Sequence, residues 1–202
     1  YLLIGVWGSG RKEYSAMKLT LMLMGASAFL LMGILGIYFG AGAETMNILE
    51  IAKLNIPIEM QRIFFPITFL GFGVLGALFP FHTWSPDGHA SAPTAVSMLH
   101  AGVLMKLGGY GCFRVAMYLM PEAAHELAWI FIVLTGISVV YGALSACVQT
   151  DLKYINAYSS VSHCGLVLFA LLMMTQTAAT GAVLQMLSHG LITALFFALI
   201  ES

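Results

Sequence analysis

Three polar side chains, Lys106, His163 and His189, stand where an oily chain has least use for them. Lys106 lies near the middle of "APTAVSMLHAGVLMKLGGYGCFR", with apolar residues on both sides. A lysine at the centre of a bilayer costs on the order of 2.5–3.5 kcal/mol on insertion scales, and from that depth its stem is too short to snorkel to an interface. Desolvation loosens an ammonium's hold on its proton, so such a lysine can release one near neutral pH when its surroundings change. A purely structural ion pair is the competing use. Gln185, His189 and Thr193 recur at i, i+4 and i+8, one face of a helix that is otherwise apolar. Asn156, Ser159, Ser160 and His163 gather on one side of another. Histidine titrates near neutrality and passes protons through either ring nitrogen. A lone membrane histidine is often only a satisfied hydrogen-bonding residue. Two of them, each among hydroxyls and amides, point to a hydrated proton path.

Lesser candidates flank this series. His100 precedes Lys106 by six positions, about 120° away around an α-helix, so a direct pair is not expected. Lys153 follows Asp151 at the start of a span; an interfacial anchor paired with Asp151 and a relay role stay equally open. Arg114, two turns past Lys106, can snorkel to an interface. The stretch "FPFHTWSPDGHASAPT", Phe79 to Thr94, concentrates two histidines, an aspartate, a tryptophan and three prolines between apolar runs. A metal site from His82, Asp87 and His89 is its tempting reading, and a quinone-headgroup pocket from Trp84, His82 and His89 is another. Prolines remove backbone donors and push the preceding residue out of helix, so Pro80, Pro86 and Pro93 favour a third: a break in a membrane helix. Such backbone survives at membrane depth only when buried in protein or lining water. The polar residues would then satisfy the freed groups, with His82 and His89 secondary participants in proton transfer.

The elements that must position these residues follow from composition. Of the 202 residues, 60% are hydrophobic and only 8% charged, against about 25% charged in soluble domains. A polytopic membrane protein is the expected class. The net charge of −1 argues against a nucleic-acid partner. Cys112, Cys147 and Cys164 are isolated in apolar runs without metal-ligand spacing, and are expected to be small packing residues. Continuous apolar runs, rather than period-two alternation, predict helices and not a barrel. The predicted spans are 19–39, 62–81 with a break over 80–93, then 93–119, 127–148, 155–174 and 181–200. They follow a stub at Tyr1–Trp7. Residues 40–61 form the one long extramembrane stretch. Gly8–Lys18, carrying Arg11, Lys12 and Lys18, is the best cytoplasmic candidate. Neither end of the sequence looks like a natural terminus, so an interior piece of a longer chain is expected.

The strings "YLLIGVWG", "PFHTWSPDGHASAPTAVSMLHAGVLMKLGGYG", "QTDLKYINAYSSVSHCG" and "GAVLQMLSHGL" together resemble the antiporter-like subunits of respiratory complex I, and among them subunit M (chain 4) of NADH:quinone oxidoreductase. The resemblance covers nearly the whole chain. It implies an all-α, polytopic transmembrane bundle of about fourteen helices, built from two inverted repeats, each with a broken helix. This chain would hold most of the first repeat and the opening helices of the second. By that likeness Lys106 matches the central lysine of the proton path, and His163 and His189 match the two histidines that continue it. The family's carboxylate partner would lie upstream of Tyr1. One departure stands out. The family pattern resembles F-A-x-K-x-P-L-F-P-F-H, whereas this chain has "FGVLGALFPFH", placing Leu75 at the lysine and Ala77 at the proline. Either His82 or His100 substitutes, or this half works through Lys106 alone.

The implied function is a proton-translocating membrane subunit of an NADH:quinone oxidoreductase, a translocase that has no redox active site on this chain. FMN, iron–sulfur clusters and quinone are expected on partner subunits. The partners are other membrane and peripheral complex I subunits, the bilayer and protons; the expected location is a bacterial inner membrane. Competing readings are a subunit of a multisubunit cation/proton antiporter or membrane-bound hydrogenase, the quinone-binding protein above, and a purely structural anchor.

Overall fold

Mean hydropathy of +0.92 leaves the chain little choice but helices, which satisfy every backbone group internally where water is absent. The computed structural model describes residues 1–200. Among these there is no strand. The stub is α1 (Leu2–Trp7). The first full span, α2 (Lys12–Gly40), has 29 residues, about 44 Å at the standard rise. The 40–61 stretch carries α3 (Ile48–Ile51), where the Asn47 side chain caps the first turn by accepting from the Leu49 N–H at 3.1 Å. Next come α4 (Ile58–Leu75) and the short α5 (Trp84–Ser91). Residues 94–117 then run helical throughout, as α6 (Thr94–Leu99), a π-turn over His100–Leu104, α7 (Met105–Gly111) and a second π-turn over Cys112–Met117. The chain continues through α8 (Pro121–Cys147), α9 (Leu152–Leu172) and α10 (Gln176–Ile200). Among the described residues, five helices (α2, α4, α8, α9 and α10) are long and apolar enough to cross a membrane.

Boundaries differ from expectation for identifiable reasons. The α2 helix starts at Lys12 rather than at residue 19, so Lys18 is helical and pairs with Asp87 at 2.6 Å instead of marking a charged loop. The α4 helix begins at Ile58 and stops at Leu75, five residues before Pro80. Gly76 caps it, and Ala77 turns the chain with φ +56°. Pro86 breaks nothing: it sits in the first turn of α5, where a missing N–H costs no helical bond. Likewise Pro121 opens α8 at its first position, drawing "PEAAHE" into the helix. The Asp151 carboxylate caps α9 by accepting from the Lys153 backbone N–H at 2.8 Å, and α9 therefore begins at 152 rather than 155.

The break is satisfied by side chains, as the polar stretch led one to expect. Trp84 Nε1–H donates to Val74 O (3.1 Å), which also accepts from the Ala77 N–H in the closing turn (3.0 Å), and the Phe79 N–H donates to Ser138 Oγ (3.3 Å). The alternating course of the spans puts the starts of α2, α5 and α9 on one side of the bundle, tied by Lys18–Asp87, Ser15–Ser91 (2.8 Å) and Tyr154–Asp87 (3.3 Å). The far ends of α2 and α9 and the starts of α4 and α8 lie on the other, tied by Arg62–Glu126 (2.9 Å). These are called below the Asp87 side and the Arg62 side.

Candidate functional site

Lys106, His163 and His189 each lie about halfway along their helices, and the bundle brings all three together. Close approach makes this possible. A Cβ on Gly190 would sit 2.9 Å from Gly102 O, so α10 and the Lys106 helix touch backbone to backbone one turn from the site. Lys106 Nζ donates to Ala101 O and to His189 Nδ1, the latter at 2.7 Å. An ammonium can only donate, so Nδ1 is the accepting nitrogen and Nε2 carries the proton. That proton points at Thr193 Oγ1, 3.1 Å away, whose own hydroxyl donates to the His189 backbone oxygen at 2.6 Å. Beside it, the Gln185 amide donates to His163 Nδ1 at 2.9 Å. The two imidazoles lie 4.6 Å apart, centroid to centroid. The residues between them and Lys106, including Cys164 and Met186, enclose about 10 Å³, room for about one water. Lysine, two imidazoles, an amide and a hydroxyl thus form an almost unbroken sequence of proton donors and acceptors.

The family model described as "NADH:quinone oxidoreductase/Mrp antiporter, TM" matches residues 1–202. The chain belongs to that family. Among curated antiporter-family relatives, it is 42% identical over 197 residues to NAD(P)H-quinone oxidoreductase chain 4-2 of Synechocystis sp., covering 98% of this chain and 35% of the relative. It is 40% identical over 201 residues to NADH-quinone oxidoreductase subunit M of Rickettsia prowazekii, covering 99% and 41%. Respiratory complex I from Thermus thermophilus with bound NADH superposes with a TM-score of 0.91 at 25% identity, over 97% of this chain and 42% of the matched one. A chain of the Mrp complex from Dietzia sp. shares the fold, with a TM-score of 0.81 at 20% identity over 92% and 34%. The chain therefore spans between a third and a half of the length of each of these proteins. It is a membrane-spanning member of that family.

At residues 75–77, where the resemblance placed a lysine and a proline, the chain turns sharply. The φ of +56° at Ala77 is one that proline, fixed near −65°, cannot adopt. The break still reaches the site: Gly76 borders the cavity beside Lys106, and a Cβ on Gly108 would strike Gly76 N at 2.5 Å.

The lesser candidates disperse. His100 packs away from Lys106: its ring stacks on Trp84 (5.2 Å) and lies tilted against that of His89 (4.5 Å). His89 is fully buried and stacks on Phe197 at 5.4 Å. His82 packs elsewhere, against Phe79, Tyr141 and Tyr158. Trp84, His82 and His89 therefore do not converge on one headgroup pocket. Nor do His82, Asp87 and His89 converge on a metal: Asp87 is engaged by Lys18 and Tyr154, and no group of three ligating side chains is arranged for an ion among the described residues. Lys153 Nζ donates to Ala92 O at 3.4 Å on the Asp87 side, away from Lys106. Arg114 lies over the Tyr118 ring at 5.3 Å, as an interfacial residue would. Of the polar stripe on α9, Ser160 turns back to Asn156 O (2.9 Å), and only His163 reaches the site. The Lys18–Asp87–Tyr154 link escaped sequence reasoning, because partners more than sixty positions apart leave no periodic signal.

Proposed function

We propose that this chain is part of a proton-translocating membrane subunit of an NADH:quinone oxidoreductase, in which Lys106 loads a proton and passes it to His189 and His163. FMN, iron–sulfur clusters and quinone sit on partner subunits in this reading, and this chain supplies only the proton path. A bacterial inner membrane is the location that suits it. The single observation that carries the reading is the continuous donor–acceptor series Lys106–His189–Thr193, with His163–Gln185 alongside, at mid-depth in an apolar bundle.

The elementary step balances within these residues. One N–H bond of the Lys106 ammonium breaks as an N–H forms at His189 Nδ1, leaving a neutral amine and an imidazolium. The imidazolium then passes a proton to His163 through a water between the rings, a His189 N–H breaking as an N–H forms on His163, while Thr193 holds the His189 ring in place. Lys106 is the element that answers to a distant event: a positive charge brought near raises the cost of the ammonium, and a nearby carboxylate lowers it. Redox chemistry in partner subunits needs only to move such a charge.

Replacing Lys106 by alanine in the assembled complex is the test. NADH-driven proton uptake into inverted membrane vesicles is expected to be lost while the subunit stays in the membrane. Normal pumping in Lys106→Ala, with normal assembly, overturns the assignment.

A further inference from the structure

On the Asp87 side the bundle opens into a polar basin of about 350 Å³. Ser9, Arg11, Tyr14, Asp87, Asp151 and Tyr154 line it, with Ser91 one turn beyond Asp87 on α5. Behind this basin lie polar groups without partners: both ring nitrogens of His89 and Nε2 of His100, in residues no more than 5% exposed. Buried imidazole nitrogens left unpaired are costly, and water is their usual companion. What separates basin from imidazoles is the backbone of α5. Asp87 faces the basin. The next residue is Gly88, where a Cβ would sit 3.5 Å from His100 Cε1 and 2.9 Å from Leu19 Cδ1. His100 therefore stands directly behind the residue that follows Asp87. The barrier is the contact of α2 with α5, in which Lys18 holds Asp87 at 2.6 Å and the neighbouring Leu19 fills against Gly88. Both members of the ion pair are about a quarter exposed (23% and 26%), and Asp87 lines the basin.

We infer that Asp87 is the carboxylate that takes protons from this basin and delivers them past Gly88 to His100, with the Lys18–Asp87 pair as the gate. This rests on the proposed proton path and names where that path meets water. In the uptake step a hydronium ion in the basin gives its proton to an Asp87 carboxylate oxygen. The O–H that forms removes the charge that held Lys18, whose ammonium turns to solvent, and α2 loosens from α5. Water then enters beside Gly88. The Asp87 O–H breaks as an N–H forms at His100 Nε2 through that water, and the regenerated carboxylate recaptures Lys18. The proton then passes inwards as a His100 N–H breaks and an N–H forms on His89, whose ring lies 4.5 Å away with both nitrogens unpaired, and from His89 it moves through water towards the site.

The test uses the assembled complex in inverted vesicles, reading proton uptake against NADH oxidation with subunit content quantified. Asp87→Asn is expected to slow pumping by about an order of magnitude, the scale of a lost positioned proton carrier, whereas Asp87→Glu keeps most of it. The double variant Lys18→Gln/Asp87→Asn restores a neutral hydrogen-bonded link between α2 and α5. A residue that only holds the helices together would be rescued by it; a proton carrier is not. Gly88→Ala leaves both charges in place but fills the gap before His100, and pumping is expected to fall several-fold; this variant keeps the question answerable if Asp87→Asn does not assemble. Full pumping in Asp87→Asn or Gly88→Ala, or rescue by the neutral pair, overturns the inference. Where Lys106→Ala is inactive in the same assay, that outcome leaves the proposed function standing; where Lys106→Ala also pumps normally, both fall.

Discussion

The two halves of the bundle solve opposite problems with the same kind of chain. On the Arg62 side of Lys106, Phe65, Phe69 and Phe131 interlock at 4.4–5.8 Å, backed by Leu168, Leu171 and Leu172, all at most 9% exposed. Among the described residues that cluster holds no acid, histidine, lysine or arginine, and its one thiol, Cys112, is fully buried against Phe69 O. On the Asp87 side the interior holds Trp84 and, with unpaired ring nitrogens, His89 and His100, in front of a polar basin. Lys106 sits at the boundary. Under the function proposed above, the contrast fits a path joined to water on one side and sealed on the other, with a proton on Lys106 leaving sideways along α9 and α10 through His163 and His189. In that proposal a hydrated channel straight through would dissipate any gradient, and the dry half would matter as much as the wet one.

Weakening the seal should have the largest effect on the fold. Phe69 is fully buried, with its ring 4.4 Å from that of Phe131. Phe69→Ala opens a cavity there and is expected to cost about 3–5 kcal/mol, read as an early thermal transition of the purified complex. An unchanged transition would mean that the seal repacks and the contrast between halves is superficial. Next is the wet path. His189→Phe keeps a ring of similar shape but removes the acceptor of Lys106 and the donor to Thr193. Pumping should fall about a hundredfold with the thermal transition little moved. If pumping persists, protons leave Lys106 by another route.

Much of this arrangement was legible in the sequence, because membrane helices advertise themselves. Continuous apolar runs found every long helix, with ends off by up to seven residues; chemistry singled out Lys106, His163 and His189 separately, and the family resemblance joined them into one path. The i, i+4 spacing of Gln185, His189 and Thr193 put them on one face, and the structure uses all three. What could not be read were features set by pairing between distant segments. Helix α4 ends at Leu75 because Gly76 and Ala77 turn the chain where Trp84 can reach back to Val74 O, not because of a proline. Lys18 looked like a loop charge until Asp87, on another element, gave it a partner. The two π-turns bracketing α7 have no sequence signature of their own. His82 and Lys153 show the converse error: residue type alone suggested chemistry, and packing places both away from Lys106.

The smallest effect is expected from the other ion pair, and it sharpens the comparison most. Arg62 holds Glu126 with a two-pronged contact, Nε to Oε2 at 2.9 Å and Nη2 to Oε1 at 3.0 Å, and reaches Glu59 at 3.1 Å. By geometry it is a better salt bridge than Lys18–Asp87. Yet its members are about half exposed or more, and such pairs gain little over water and are screened by salt. More to the point, nothing unpaired lies behind it: the interior on that side is the phenylalanine cluster. Arg62→Gln should therefore leave both the thermal transition and NADH-driven pumping within experimental scatter, in the same vesicles where Asp87→Asn slows pumping. A pumping defect in Arg62→Gln would show that charge at either end of the bundle controls the path, and the division into a wet half and a sealed half would have to be abandoned.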